Sequence, residues 1–319
     1  MTKRRKAAAV PACKIPWQKR MKRYRMLYLM LIPGVLWFIL FHIIPLGGIV
    51  IAFEKFNVVD GIFGSPFVGL ENFKSFLNSA TFSATLTHTL TISILKLVLG
   101  FPLPIIFALC LNEIRAAHFK KTVQTISYLP FFLSWVIVMG ISSVIFNPYT
   151  GVLSKICEVL GANYVDPTTN PNTFIAFLVL SYVWKSVGWN SIIYLACLSG
   201  VDQEIYEAAH IDGAGRWKRL LHVTIPAIKP IIAIQLILSM GSLLTSDFEQ
   251  IYLFTGSQNY NPMLVAVADT FDTWIYRNGI AMGQFSNAAA LGIFQSLFGA
   301  CLILITNWIS KKLGNEGIW

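Results

Sequence analysis

The residues whose types and spacing could do chemistry concentrate in one polar stretch, Asp202 to Pro226, between two long apolar runs. Asp202 can cap a helix, and Glu204 and Glu207 suit the positive end of its dipole. Ile205, Ala208 and Ala209 fall on one face at i, i+3 and i+4 spacing, and Asp212-Gly213 ends the helix. A second helix from Ala214 carries Trp217, Leu220 and Leu221 beside Arg216, Lys218 and Arg219, and Pro226 opens the next apolar run. The chemistry on offer is non-covalent. Basic amphipathic connectors commonly lie on lipid headgroups. A docking helix instead presents small residues so that a partner's groove can close on it. Ala208, Ala209, Gly213 and Ala214 fit the second use better, because lipid rewards bulk.

A second group of candidates sits inside the apolar runs, where polar side chains are costly and mark a bundle interior or a watery path. Lys96 is one. The run Ser181 to Ser191 holds Trp184, Lys185, Trp189 and Asn190, a set able to stack on sugar rings and bond their hydroxyls, or simply to anchor at an interface. Ser239, Ser242, Thr245, Ser246 and Asp247 form a polar stripe at the end of a later run. Lys96 would serve an anionic, uronide-type solute. No catalytic group or metal site is expected. There is no H-E-x-x-H, the five histidines are dispersed, and the five cysteines form no C-x-x-C pair. There is also no G-x-x-x-x-G-K-[ST] phosphate loop, so ATP hydrolysis is not expected of this chain.

The elements that must position these groups follow from composition. Of 319 residues, 55% are hydrophobic and 13% charged, and the mean hydropathy is +0.62. Soluble domains carry about 25% charged residues, so a disordered chain, a disulfide scaffold and a soluble enzyme are set aside. Six stretches are apolar enough to span a bilayer: 26–51, 84–111, 123–146, 173–199, 225–246 and 284–309. The net charge of +10 is unevenly placed, with ten basic residues between Lys3 and Arg25. Nineteen of the 25 Lys and Arg fall on the side of the N-terminus and the 112–122 and 200–224 loops, against four on the other. That bias predicts both termini in the cytoplasm. The expected organisation is a basic N-terminus over 1–25, an all-α transmembrane domain over 26–310 and a cytoplasmic tail over 311–319. The opposite loops, 54–83, 147–172 and 247–283, are long enough for short interfacial helices such as Gly69 to Asn78.

Glu207-Ala208-Ala209, three residues, Gly213, nine residues, then Val223-Thr224-Ile225-Pro226 resembles the E-A-A-x3-G-x9-I-x-L-P loop of ATP-binding cassette importer permeases. The departures are Val223 for Ile and Ile225 for Leu. Tyr28 to Gly34, with its Ile-Pro-Gly ending, and Gly69-Leu-Glu-Asn-Phe-Lys74 are similar to the maltose-type carbohydrate permeases. Phe248-Glu-Gln-Ile-Tyr252 and Asp272-Thr-Trp-Ile-Tyr-Arg277 resemble the subgroup for oligosaccharides derived from polysaccharides, such as aldouronate, rhamnogalacturonan or alginate oligomers.

The resemblance implies a type I importer transmembrane domain with six helices in a bacterial cytoplasmic (inner) membrane. It implies a second, similar permease, a cytosolic ATPase pair that binds ATP and Mg²⁺, and an extracytoplasmic solute-binding protein. Glu207, Ala208, Ala209, Asp212, Gly213 and Pro226 would form the coupling segment. Trp184, Trp189, Asn190, Ser242, Asp247 and Lys96 would line the substrate path, with no cofactor on this chain. The rival expectations are a permease for lipid precursors or peptides, and a membrane-embedded transferase, which would need a cluster of charged groups at one interface for a pyrophosphate.

Overall fold

A computed structural model describes residues 17–245, 247–256, 261–314 and 317–318. Half of the basic N-terminal cluster, Ser246 of the polar stripe, and Asn315, Glu316 and Trp319 of the tail lie outside the described residues. Regular structure among the described residues is helical, apart from an isolated bridge between Glu54 and Phe67.

The chain divides into two compact units, 1–50 and 51–319. The first holds α1 (Trp17–Arg23) and α2 (Arg25–Phe38), which continues as a π turn over Ile39–Ile43. Pro45 follows that turn. A proline cannot donate to the helical ladder and crowds the carbonyl four residues back, and the wider π turn accommodates it. No residue of α2 is buried, in keeping with an apolar helix made for lipid.

In the second unit, α3 (Gly61–Gly64) and α4 (Glu71–Leu77) precede α5 (Ala80–Gly100) and α6 (Pro102–Glu113). Ser79 accepts the Phe82 amide and starts α5. After α7 (Ala117–Tyr128) come α8 (Trp135–Ile145), α9 (Val152–Val159) and the 29-residue α10 (Pro171–Ser199). The 202–226 stretch holds α11 (Gln203–Ile211) and α12 (Arg216–Arg219), and α13 (Ile225–Gly241) follows. The last elements are α14 (Phe248–Gly256), α15 (Pro262–Ala268), α16 (Phe271–Trp274) and α17 (Phe285–Lys312).

Among the described residues, four helical runs are long and apolar enough to cross a membrane: Arg25–Phe53, Ala80–Glu113, Arg216–Gly241 and Phe285–Lys312. α10 is as long as these runs but more polar, and the fold explains why. It packs against α5, α6, α7, α13 and α15 and buries Phe174, Leu178, Ser191 and Leu198. A helix enclosed by protein can carry hydroxyls that a lipid-facing helix cannot. Gly188 lets the end of α7 approach, since a Cβ there would run into the Ser127 carbonyl. Gly188→Ala is therefore expected to destabilise the fold by about 1–3 kcal/mol. A thermal scan in detergent would read this as a clear drop in melting temperature, and an unchanged one would contradict the contact.

Three expectations need correction. The 123–146 stretch is not one straight span: α7 with its 3₁₀ turn (Leu129–Phe132) and α8 meet at a bend of 101°. Pro130 interrupts the ladder, Leu133 is extended, and Ser134 caps a new helix by accepting the Ile137 amide. The run expected over 225–246 instead starts at Arg216 and ends at Gly241. Pro226 thus lies within a longer helical run, just past a π turn over Leu220–Thr224, and Ser242, Thr245 and Asp247 lie beyond the end of that helix. Finally, 247–283 is no peripheral loop. Ile251, Leu264 and Ala268 pack with Ile92, Phe174, Phe177 and Leu178, while Phe271 and Trp274 pack with Phe76, Leu244 and Leu291. Its acids are used internally: Asp269 pairs with Arg277 and accepts the Thr273 hydroxyl at 2.7 Å.

Candidate functional site

Two features of the second unit have functional chemistry. The first is α11 and the turn after it. The Asp202 carboxylate accepts the Glu204 amide at 3.0 Å, satisfying a donor that the first turn leaves open. At the other end the Gly213 amide donates to His210 O and the Ala214 amide to Ala209 O, at 3.0 and 2.9 Å. That pair of bonds closes a helix only when the intervening residue is left-handed, and Gly213 has φ +72°. Tyr206 and Thr224 share a hydrogen bond of 3.1 Å, tying α11 to the foot of α13. Ala209 is half-buried, whereas Glu207 and Ala208 are exposed with Ile205, Ile211 and Trp217. α11 is thus a short, rigidly capped helix whose small and apolar outer face lacks a cover among the described residues.

The second feature is a cavity of about 840 Å³ between α5, α10 and α13. Lys96 reaches it from α5, Trp189 and Asn190 from α10, and Ser239 from α13, while Ser242 and Asp247 come from the segment after α13. The Lys96 ammonium donates to Asp247 Oδ2 at 3.0 Å and Gln250 Oε1 at 2.7 Å, and lies 4.8 Å from the Tyr182 ring centre. Gln250 is fully buried and passes the network on, donating to Leu178 O at 2.8 Å and Ser181 Oγ at 2.9 Å. A lysine at this depth is tolerable only with such partners. Trp189 stacks on Phe131 at 4.5 Å, nearly parallel. The Lys185 ammonium donates to the Phe131 carbonyl at 2.9 Å, satisfying an acceptor released at the break in the helix.

Residues 100–315 match the family of binding-protein-dependent transport system inner membrane components. The chain belongs to that family. Such a permease is a multi-pass membrane protein, in keeping with the helical runs above. It is 42% identical to protein LplB of Bacillus subtilis (strain 168), over 99% of this chain and 98% of that protein. It is 40% identical to the polygalacturonan/rhamnogalacturonan transport system permease protein YteP of the same strain, over 98% of both. A solved structure of a bacterial alginate ABC transporter, in complex with an alginate pentasaccharide-bound periplasmic protein, has a chain similar at TM-score 0.86 and 34% identity. The match covers 95% of this permease and 100% of that chain.

Of the expected path residues, the permease brings Lys96, Trp189, Asn190, Ser242 and Asp247 to one cavity. Trp184 does not line it and is half-exposed. Gln250, Tyr182 and Gln235 escaped the sequence reading. Tyr182 and Lys185 stand in the same polar run as Trp189, but only Tyr182 sits four residues from both the buried Ser186 and the buried Leu178. For Gln250 no local signal exists, since its partners lie 72 and 154 residues away.

Proposed function

We propose that this permease is one of two membrane subunits of an ATP-driven importer for oligosaccharides derived from polysaccharides, in a bacterial cytoplasmic membrane. The observation that carries the reading is the cavity, which combines the ring faces of Tyr182 and Trp189 with the amides and hydroxyls of Asn190, Gln235, Ser239 and Ser242. Aromatic faces pack against the C–H surface of a sugar, and the amides and hydroxyls match its OH groups. The permease of similar sequence named for polygalacturonan/rhamnogalacturonan, and the alginate transporter of similar fold, support the same solute class.

In this reading six crossings leave both termini in the cytoplasm: 25–53, 80–113, the broken 117–145, 171–199, 216–241 and 285–312. The charge bias of the loops supports that arrangement. A second, similar permease completes the path, and a binding protein delivers the sugar from outside. A separate ATPase pair, which binds ATP and Mg²⁺, docks on α11 through Glu207, Ala208 and the bend at Gly213. Closure of the ATPases then rocks the two permeases between outward- and inward-open states, with no covalent step on this chain.

Asn190→Ala removes one amide from the cavity without touching α11. Uptake is expected to fall about three- to tenfold, as for one lost hydrogen bond, while pull-down of the ATPase stays at the wild-type level. Unchanged uptake of every oligosaccharide tried would exclude Asn190 from the path, and uptake of peptides in their place would replace the solute class.

A further inference from the structure

Lys185 touches both arms of the broken 117–145 run at its 101° corner. On the first arm its ammonium donates to the Phe131 carbonyl at 2.9 Å and lies 5.1 Å from the Phe131 ring centre. On the second it lies 5.3 Å from the ring centre of Trp135, the buried first residue of α8. Among the described residues no carboxylate lies within ion-pair distance of it. A carbonyl and two ring faces are what hold this cation. One turn along α10, Trp189 stacks on the same Phe131 ring, with centres 4.5 Å apart and planes 3° from parallel. It also meets Phe132 edge-on at 5.4 Å. Trp189 lines the cavity and Lys185 does not. Phe131 thus connects a cation outside the cavity to an aromatic wall inside it. A ring stacked on a fixed partner is already oriented when a ligand arrives, and that lowers the cost of binding.

We propose that Lys185 is a positioning residue for solute recognition. By tying both arms of the broken run to α10, it holds Phe131 flat against Trp189 and fixes the face that Trp189 turns to the sugar. The inference rests on the transport function proposed above and adds a residue that touches no solute. Lys185→Met removes the charge at similar length and leaves the Phe131 carbonyl without its donor. The corner then loses its tie to α10, and Phe131 is free to leave the indole. Lys185→Arg keeps a cation that can donate to the carbonyl and lie over the rings.

The test uses the whole complex, with both permeases, the ATPase pair and the binding protein, in proteoliposomes. The probes are a labelled oligogalacturonate and a labelled arabino-oligosaccharide, after the permeases of similar sequence named for such sugars. Uptake is measured for Lys185→Met, Lys185→Arg, Phe131→Leu and Trp189→Ala, and for Lys185→Met and Phe131→Leu each combined with Trp189→Ala. Lys185→Met and Phe131→Leu are each expected to lower uptake about three- to tenfold, the worth of one aromatic pair. Trp189→Ala is expected to lower it at least as much, and Lys185→Arg to restore most of the loss. The deciding result is the combination. A residue that acts through Trp189 has nothing left to lose once the indole is gone, so each double variant should lie within about twofold of Trp189→Ala alone. A lysine that only braces the corner would keep its full effect in that background. Should Lys185→Met fail to assemble, Phe131→Leu, which strands no carbonyl, carries the same comparison. Effects that multiply in the double variants, or wild-type uptake in Trp189→Ala, overturn the proposal while leaving sugar transport standing. A wild-type complex that moves neither probe overturns both.

Discussion

Gly213→Val is expected to abolish uptake while leaving the permease inserted and folded. The position has open space around it, so the cost is wholly in the backbone: φ is +72°, and a β-branched residue there is strained by roughly 1–2 kcal/mol. That strain falls on the two bonds that close α11, from Gly213 and Ala214 to His210 and Ala209. Releasing them redirects the chain between α11 and α12 and so changes the angle at which the helix is offered to the ATPase. Gly213→Asn, which tolerates the left-handed region, should retain much of the activity. Ala208→Trp is a companion probe. Ala208 is exposed, so a bulky side chain there does no harm within this chain and interferes only with whatever covers the helix. Uptake, ATP hydrolysis and ATPase pull-down are the measurements, and normal values in all three for both variants would mean that α11 lies on lipid.

The second large effect is expected at Gln250. Gln250→Leu keeps the volume but leaves the Lys96 ammonium with Asp247 alone on its polar side, and takes a donor from the Leu178 carbonyl and Ser181 hydroxyl. Losing a buried hydrogen bond to a charged group costs about 1.5–3 kcal/mol, and here the loss falls where α5, α10 and α14 meet. The variant should extract poorly and unfold at a much lower temperature. A Gln250→Leu protein as stable as wild type would show that the network does not hold these helices together.

How much of this was legible in the sequence depended on the range of the interaction involved. Asp202, Glu204 and Gly213 act within one helix, and the stop at Asp212-Gly213 was readable because capping is local chemistry. The runs that face lipid were readable too, since lipid demands unbroken apolarity. The break at Leu133 was not, because a proline inside a long apolar stretch can kink a helix as well as end it, and Pro130 alone does not say which. The end of α13 at Gly241 was hidden similarly, as Leu243 and Leu244 keep the following segment apolar. The burial of 247–283 escaped because its apolar residues come in short groups that look interfacial, and they become core only against α5 and α10. Lys96 was marked as a candidate by its depth alone. Its pairing with Asp247 spans 151 residues, so nothing local in the sequence showed it.

The central claim is that this chain carries sugar through the membrane at the expense of ATP hydrolysed elsewhere. The most direct measurement is accumulation of a labelled oligosaccharide in proteoliposomes holding the permease pair and the ATPases, with the binding protein outside and ATP inside. The account predicts uptake that requires ATP and the binding protein, stops with Gly213→Val and persists with Gly213→Asn. Uptake that proceeds without ATP, or that ignores Gly213→Val, would contradict it.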